Sequence, residues 1–152
     1  FNGVSDTRIF LYGNGTNRAV YSGINGLGEA DPTYFPVMSF VDIDSSNTPI
    51  TGMVRHFDRL LAFKTDGMWA LEYGTLTLSD GSVVPGFPVI PVNREIGCGV
   101  PGFVRLVDNS PVTPHARGLY RWALSGAAVR DERTAERIKI AVERMRKMLD
   151  AK

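Results

Sequence analysis

Gly52-Met53-Val54-Arg55-His56-Phe57-Asp58 aligns with Gly102-Phe103-Val104-Arg105-Leu106-Val107-Asp108, with Gly, Val, Arg and Asp matching at an offset of 50 residues. After one inserted residue the match resumes at an offset of 51, where Gly67-Met68-Trp69-Ala70-Leu71 faces Gly118-Leu119-Tyr120-Arg121-Trp122. A fainter third copy sets Arg8-Ile9-Phe10-Leu11-Tyr12 against Arg59-Leu60-Leu61-Ala62-Phe63, again 51 apart. Each unit reads as strand, turn, apolar strand, Asp/Gly-type turn, aromatic strand. A period near 50 with several strands per unit predicts propeller-like blades. One small antiparallel sheet cannot bury both faces alone, whereas stacked blades bury them against each other. Three units are fewer than the roughly four to eight blades that close a ring. Three arrangements remain open. Blades are missing from this chain, the sheets pack as a sandwich or open arc, or other subunits complete the ring. The repeat singles out Gly52, Val54, Arg55, Asp58, Gly67 and Trp69, with Gly102, Val104, Arg105, Asp108, Gly118 and Tyr120 as their counterparts.

Residues 1–129 and 130–152 have different grammars. The first part is rich in Gly, Pro, Asn and Asp between short apolar runs, the pattern of short strands and tight turns. Expected strands are Thr7–Tyr12, Arg18–Ser22, Val37–Val41, Thr51–Phe57, Leu60–Lys64, Met68–Tyr73, Thr75–Leu78, Gly102–Val107 and Leu119–Leu124. Asp66-Gly67 and Asp80-Gly81 are expected hairpin dipeptides because Gly tolerates positive φ. The second part has no Gly or Pro. Its apolar residues Ala135, Ile138, Val142, Met145 and Leu149 recur in steps of 3, 4, 3 and 4, which predicts a C-terminal amphipathic α-helix. Ile138, Val142, Met145 and Leu149 would then form an interface stripe, docked on a neighbour or back on the blades.

Composition excludes several classes. The 152 residues carry 17 Lys+Arg against 16 Asp+Glu, so nucleic acid is not indicated by bulk charge. The helical segment is +3 and the remainder −2. An apolar fraction of 43% with so small a net charge argues against disorder. No apolar run approaches the roughly 18 residues of a membrane-spanning helix. The single Cys98 excludes an intrachain disulfide framework and a cysteine zinc site. The first residue is Phe and no signal peptide is visible, so the chain is expected to be cleaved, trimmed or partly present.

No catalytic or cofactor-binding constellation emerges. His56 and His115 occupy different parts of their repeats, and neither has the spacing of a zinc ligand pair. Asp42-Ile43-Asp44-Ser45-Ser46-Asn47 alternates oxygen ligands but lacks the Gly and distant Glu of an EF-hand loop, so it reads as a polar turn. Gly13-Asn14-Gly15 and Gly26-Leu27-Gly28 precede no helical pattern and read as turns. Cys98 has no base placed near it by spacing and reads as a buried structural thiol. Thr65-Asp66-Gly67-Met68-Trp69 partly matches the Asp-box hairpin of sialidase-type propellers, whose role is structural. Arg55 and Arg105, followed by Asp58 and Asp108, are expected to form Arg–Asp pairs across each blade.

The set formed by Arg18-Ala19-Val20-Tyr21-Ser22-Gly23, Asp31-Pro32-Thr33-Tyr34-Phe35-Pro36, Ile50-Thr51-Gly52-Met53 and Asp58-Arg59-Leu60-Leu61-Ala62-Phe63-Lys64 resembles tailed-bacteriophage virion proteins of the propeller-like tail and neck kind. Gly118-Leu119-Tyr120-Arg121-Trp122, Ile96-Gly97-Cys98-Gly99 and Val129-Arg130-Asp131-Glu132-Arg133 extend the likeness from about Arg8 to Arg133. The resemblance implies a non-enzymatic, virion-located part of a tail, hub, adaptor or baseplate. Its partners would be other virion structural proteins, in a homo-oligomer or ring, without cofactor, metal or membrane. No catalytic residue carries over, because the shared motifs belong to the scaffold.

Two other classes stand beside it. A carbohydrate- or receptor-binding β-propeller module would use Trp69, Tyr73, Tyr120 and Trp122 to stack on sugar rings. The alternation Trp69/Leu71/Tyr73 places those three on one strand face, which a blade core needs equally. A propeller hydrolase would need Asp66, Asp80 and Glu72 to converge in a central pocket.

Overall fold

The computed structural model describes residues 8–123 and 134–137. It is mainly β, built as several small antiparallel sheets, with no helix among the described residues. Sheet I is β1 (Phe10–Leu11), β2 (Arg18–Tyr21) and β3 (Phe40–Asp42), in that order. Sheet II is β4 (Gly52–His56), β5 (Arg59–Lys64), β6 (Gly67–Leu71) and β9 (Val89–Asn93). A two-stranded ribbon, β7 (Gly74–Thr77) with β8 (Val83–Gly86), fills the connection from β6 to β9. Sheet III is β10 (Arg105–Val107), β11 (Ser110–His115), β12 (Gly118–Ala123) and β13 (Thr134–Arg137).

Sheets II and III repeat one plan, and the hairpins fix its period. The first hairpin joins His56 to Arg59 in sheet II and Val107 to Ser110 in sheet III. The second joins Lys64 to Gly67 and His115 to Gly118. Both hairpins are displaced by 51 residues. The offset of 50 read from Gly52 to Asp58 is therefore one residue short of the strand register. Arg55 sits opposite Leu60 and Arg105 opposite Val112, so the two arginines are not register equivalents. A one-residue slip moves a side chain to the other face of a sheet.

Sheet II lies between the other two. Leu60, Ala62, Trp69 and Leu71 form one core with Ala19, Phe10, Tyr21 and Val41 of sheet I. Leu61, Phe63, Met68 and Ala70 form the other with Tyr120 and Trp122 of sheet III and with Val104, which immediately precedes that sheet. Successive residues of a strand point to opposite faces. A strand buried on both sides must therefore be apolar throughout, and all five residues of β6 are buried. Phe87, just after the ribbon, packs edge-on to Phe10 and Tyr21 at 5.0 and 4.9 Å, closing the first core.

Four strands escape the sequence pattern or depart from it. Pro91 lies in β9, an edge strand, where a missing N–H is tolerated. Pro111 and Pro114 lie in β11, an interior strand. Pro111 pairs only with β10 and Pro114 only with β12, so each sits where one neighbouring ladder has ended. β8 holds Pro85 and pairs only with β7. The expected helix over 130–152 is corrected at Thr134–Arg137, which forms β13 by pairing with β12. The exposed hydrogen-bonding edge of β12 outweighs local helical spacing there, and the β region extends past residue 129. The stripe Ile138, Val142, Met145 and Leu149 lies outside the described residues.

The turns are chemically varied. Asp108 and Asn109 both take positive φ, 47° and 58°, as a two-residue hairpin turn of mirror type requires. Gly81 takes positive φ, 83°, in the longer connection between Thr77 and Val83, where Gly81 N–H donates to the Leu78 carbonyl. Gly67 does not adopt positive φ; its lack of a Cβ leaves room for the Trp69 ring.

The linker between sheets II and III is wedged against backbone. Cys98 N–H donates to the Lys64 carbonyl at 2.8 Å and Gly99 N–H to the Pro114 carbonyl at 2.7 Å. A Cβ at Gly97 would run into the main chain of Lys64 and Gly67. Gly97→Ala is expected to lower unfolding free energy by about 1–3 kcal/mol, the usual cost of overpacking. Gly26→Ala, which meets nothing within 4 Å, is expected to stay within about 0.5 kcal/mol of wild type. Urea denaturation of the two variants checks the contrast.

Candidate assembly surfaces

Three kinds of surface were open to carry function: a convergent polar site, an aromatic platform, or the outward faces of the end sheets. Several buried polar groups join the sheets. Lys64 is buried, and its Nζ donates to the Ser46 carbonyl at 2.8 Å and to Ser46 Oγ at 3.1 Å. The same ammonium lies 5.3 Å from the Trp69 ring. Burial pushes the Lys64 pKa down, and Asp44 opposes that shift. A cavity of about 270 Å³ opens beside it, lined by Asp44, Asp66, Lys64, Arg94 and Trp69 among others. Two cations face two carboxylates there, so the cavity has no net preference for an anion.

One sheet further on, Thr113 plays the corresponding part. Trp122 Nε1 donates to Thr113 Oγ1 at 2.8 Å, and Thr113 Oγ1 donates to the Gly97 carbonyl at 2.9 Å. Ser46 and Gly97 are 51 residues apart, and each offers its carbonyl to a side chain from the second strand of the sheet that follows. His115 Nε2 lies 3.1 Å from Asp66 Oδ1, linking sheet III to the β5–β6 turn. His56 Nε2 donates to the Asn109 carbonyl at 2.6 Å, linking sheet II to the β10–β11 turn.

The residues singled out by the repeat are scaffold positions. Gly52 is buried, because a Cβ there would collide with Val104, and Gly102 N–H donates to the Thr51 carbonyl at 2.7 Å. The leading segments of the two units therefore run together. Val54 packs at the margin of the second core, and Val104, Trp69 and Tyr120 are buried. Gly102 and Gly118 adopt positive φ of 74° and 135°. The expected Arg–Asp pairs do not form. Arg55 Nε donates to the Phe57 carbonyl at 3.1 Å, and Arg105 donates to the carbonyls of Gly102 and Val104. Asp58 and Asp108 sit exposed in hairpin turns.

No constellation of acids or nucleophiles converges among the described residues. Asp58 and Asp66 occupy successive hairpin turns, which fall at opposite ends of a meander. Glu72 is held by Arg59 at 2.6 Å. Asp42 is engaged by Arg18 through two contacts of 2.7 and 2.8 Å, which holds its carboxyl below the usual carboxylate range. No group of three or more His, Cys, Asp or Glu is placed to hold a metal among the described residues. Cys98 is buried, its thiol donates to the Val100 carbonyl, and burial raises its pKa, so it is a weak nucleophile. Trp69, Tyr120 and Trp122 lie inside the two cores, and Tyr73 packs on Phe87 at 5.5 Å. No sugar-stacking platform is built from these four.

The end sheets are different. The face of sheet I turned away from sheet II carries Ile9, Leu11, Val20 and Phe40, with Arg18 stacked 3.8 Å over Phe40. The face of sheet III turned away from sheet II carries Val107, Val112, Pro114 and Leu119, flanked by Arg105 and Arg121. The inter-sheet contacts made by Lys64, Thr113, Gly97 and His56 escaped sequence reading. Only the small residues around Cys98 signalled a close backbone approach.

Comparison of the chain with protein-family models, with curated proteins and with solved structures returns no match.

His56 supplies a test of the inter-sheet contacts. Its Nδ1 is buried and has no partner, so protonation would bury an unsatisfied N–H. Burial lowers its pKa from 6.5, with the Asn109 contact opposing. The unfolded chain therefore binds a proton that the folded chain refuses, and stability falls as pH drops below about 6.5. His56→Gln, which retains a donor for Asn109, is expected to flatten that fall. Melting temperatures of both proteins from pH 7.5 to 5 check the difference.

Proposed function

We propose that this chain is a virion structural protein of a bacteriophage tail, hub, adaptor or baseplate, acting by protein–protein assembly and without catalytic activity. The observation that carries this reading is the stack itself. Sheet II is buried on both faces, while among the described residues the outward faces of sheets I and III carry apolar side chains that include Leu11, 50% exposed, and Val107, 49% exposed. Extended apolar faces on a small domain mark association surfaces. The sequence likeness to propeller-like tail and neck proteins supports the same reading. In it the three sheets are successive blades of an incomplete ring, completed by other subunits or by further sheets.

The rival reading, a carbohydrate- or receptor-binding propeller module, loses its main support. Three of its four aromatics are inside the cores.

Peptide mass spectrometry of gradient-purified particles, produced by the source that encodes the chain, tests the proposal. Peptides of this chain are expected in the tailed particle at a fixed ratio to the other structural proteins. Peptides confined to the free lysate fraction would overturn it. A glycan array probed with the purified chain is expected to be blank, and binding that survives at high salt would favour the rival.

A further inference from the structure

The loop from β2 to β3 contains a short closed turn built around Asn25. An Ile24–Ala30 bridge closes it, and Asn25 N–H donates to the Glu29 carbonyl at 2.8 Å. The Asn25 side-chain oxygen, Oδ1, accepts two backbone N–H groups, from Leu27 at 2.9 Å and from Glu29 at 3.0 Å. Its Nδ2 donates to Glu29 Oε2 at 3.4 Å. The partners therefore tell the two ends of the amide apart. Gly26 follows in the chain and is exposed, and among the described residues its N–H has no acceptor.

These are the parts of an intramolecular acyl substitution at a thermolabile side chain. The nucleophile is the Gly26 amide nitrogen, which no hydrogen bond restrains and no Cβ shields. The electrophile is Cγ of Asn25. Attack places negative charge on Oδ1, and the N–H groups of Leu27 and Glu29 already point at that atom. Asn14-Gly15, also exposed, is the matched pair elsewhere in the chain. Asn14 Oδ1 accepts from the rotatable Thr16 hydroxyl at 2.6 Å and from Thr16 N–H at 3.3 Å. It has one long backbone donor where Asn25 has two short ones.

We propose that Asn25 is a modification site, a deamidation centre that its own loop favours over Asn14. The Gly26 nitrogen bonds to Asn25 Cγ, and its proton passes through water to Nδ2. The Cγ–Nδ2 bond then breaks, and ammonia leaves a five-membered imide. Water adds to one of the two imide carbonyls. Opening at the side-chain carbonyl gives aspartate, and opening at the main-chain carbonyl gives an isoaspartyl link. Water is the one co-reactant, and nothing is oxidised or reduced. Either product removes the chain's formal net charge of +1. It also sets a carboxylate beside Glu29 and in the cavity that Asp31 lines. The isoaspartyl form takes the Asn25 main-chain carbonyl, which accepts from Gly28 N–H at 3.0 Å, out of the backbone. The change reshapes the turn that carries Leu27, 84% exposed, and no residue of that turn belongs to either core. It does not depend on what the chain assembles with.

Incubation of the full chain at neutral pH, folded and in guanidinium chloride, tests the assignment. Peptide mass spectrometry follows the amide-to-acid mass change at Asn14 and Asn25 separately. In the folded chain Asn25 is expected to convert about tenfold or more faster than Asn14, the least that two aligned oxyanion donors supply. In denaturant, where both are bare Asn-Gly pairs, the two rates are expected to converge. Gly26→Ala, which is expected to leave stability unchanged, puts a Cβ beside the nucleophile. It is expected to slow Asn25 about tenfold or more and to leave Asn14 as it was. Equal rates at the two sites of the folded chain overturn the proposal. So does an Asn25 that converts no faster folded than unfolded. Conversion at the wild-type rate in Gly26→Ala also overturns it, because the attack then does not come from the Gly26 nitrogen. The wild-type comparison needs no variant, so it stands even if Gly26→Ala misfolds.

Discussion

Burial of β5 and β6 on both faces is the constraint from which the rest of the structure follows. Their eleven residues, Arg59–Lys64 and Gly67–Leu71, hold only three that are not apolar: Arg59, Lys64 and Gly67. Alternate side chains leave the sheet on opposite sides, so no single partner covers them. Large side chains such as Leu61, Phe63, Met68 and Leu71 are each worth roughly 1.5–3 kcal/mol when fully buried. Leu71 needs sheet I for that gain, and Leu61, Phe63 and Met68 need sheet III. The outer sheets are therefore conditions for the middle one, and stability in such a stack lies in its nearest-neighbour joints.

Apolar faces supply attraction without direction. Direction comes from the polar contacts at the joints. Lys64 to Ser46, Thr113 to Gly97, His56 to Asn109 and His115 to Asp66 each tie a side chain of one sheet to a loop or turn of an adjoining unit. Buried polar groups need partners, so these bonds hold only when the sheets are rotated and shifted to the right register. Gly97 adds a steric stop, since nothing larger fits between the linker and the turn from β5 to β6. The small polar and glycine residues of the linkers thus determine how the apolar faces meet.

Much of this was legible in the sequence, and the failures have physical causes. The apolar runs and Asp/Gly turns placed most of the strands. The trio Pro91, Pro111 and Pro114 hid β9 and β11, because a proline rule cannot see where a neighbouring ladder ends. The repeat was visible, but identity matches pulled its first half one residue out of register. Hairpin closure, which fixes the strand phase, put it at 51 throughout. Residues 134–137 carry part of a helical stripe, yet they pair with β12, a non-local contact that no local period records. Lys64 ends an apolar run as if it reached for water, and instead it turns inward to a carbonyl 18 positions away. A candidate site failed to appear in either reading for one reason. Lys64, His56 and His115 are engaged in inter-sheet contacts, and the remaining acids and nucleophiles do not converge among the described residues.

That occupation bears on how such a chain associates. Within the chain, each joint has a covalent linker, so the second sheet meets the first at high effective concentration. A joint between separate chains has no linker. It must offset the loss of translational and rotational freedom, about 4–15 kcal/mol at a 1 M standard state, from its own contacts. Among the described residues, the outward faces of sheets I and III carry apolar side chains of the kind that drive the internal joints, with a more polar margin. Arg18 is bound to Asp42 and stacked on Phe40, while Arg105 and Arg121 flank the opposite face. Charges at the margin lower affinity relative to the internal cores and penalise misaligned encounters. A joint of that composition is favoured only where its partner is present at sufficient concentration or is held in place by a larger particle.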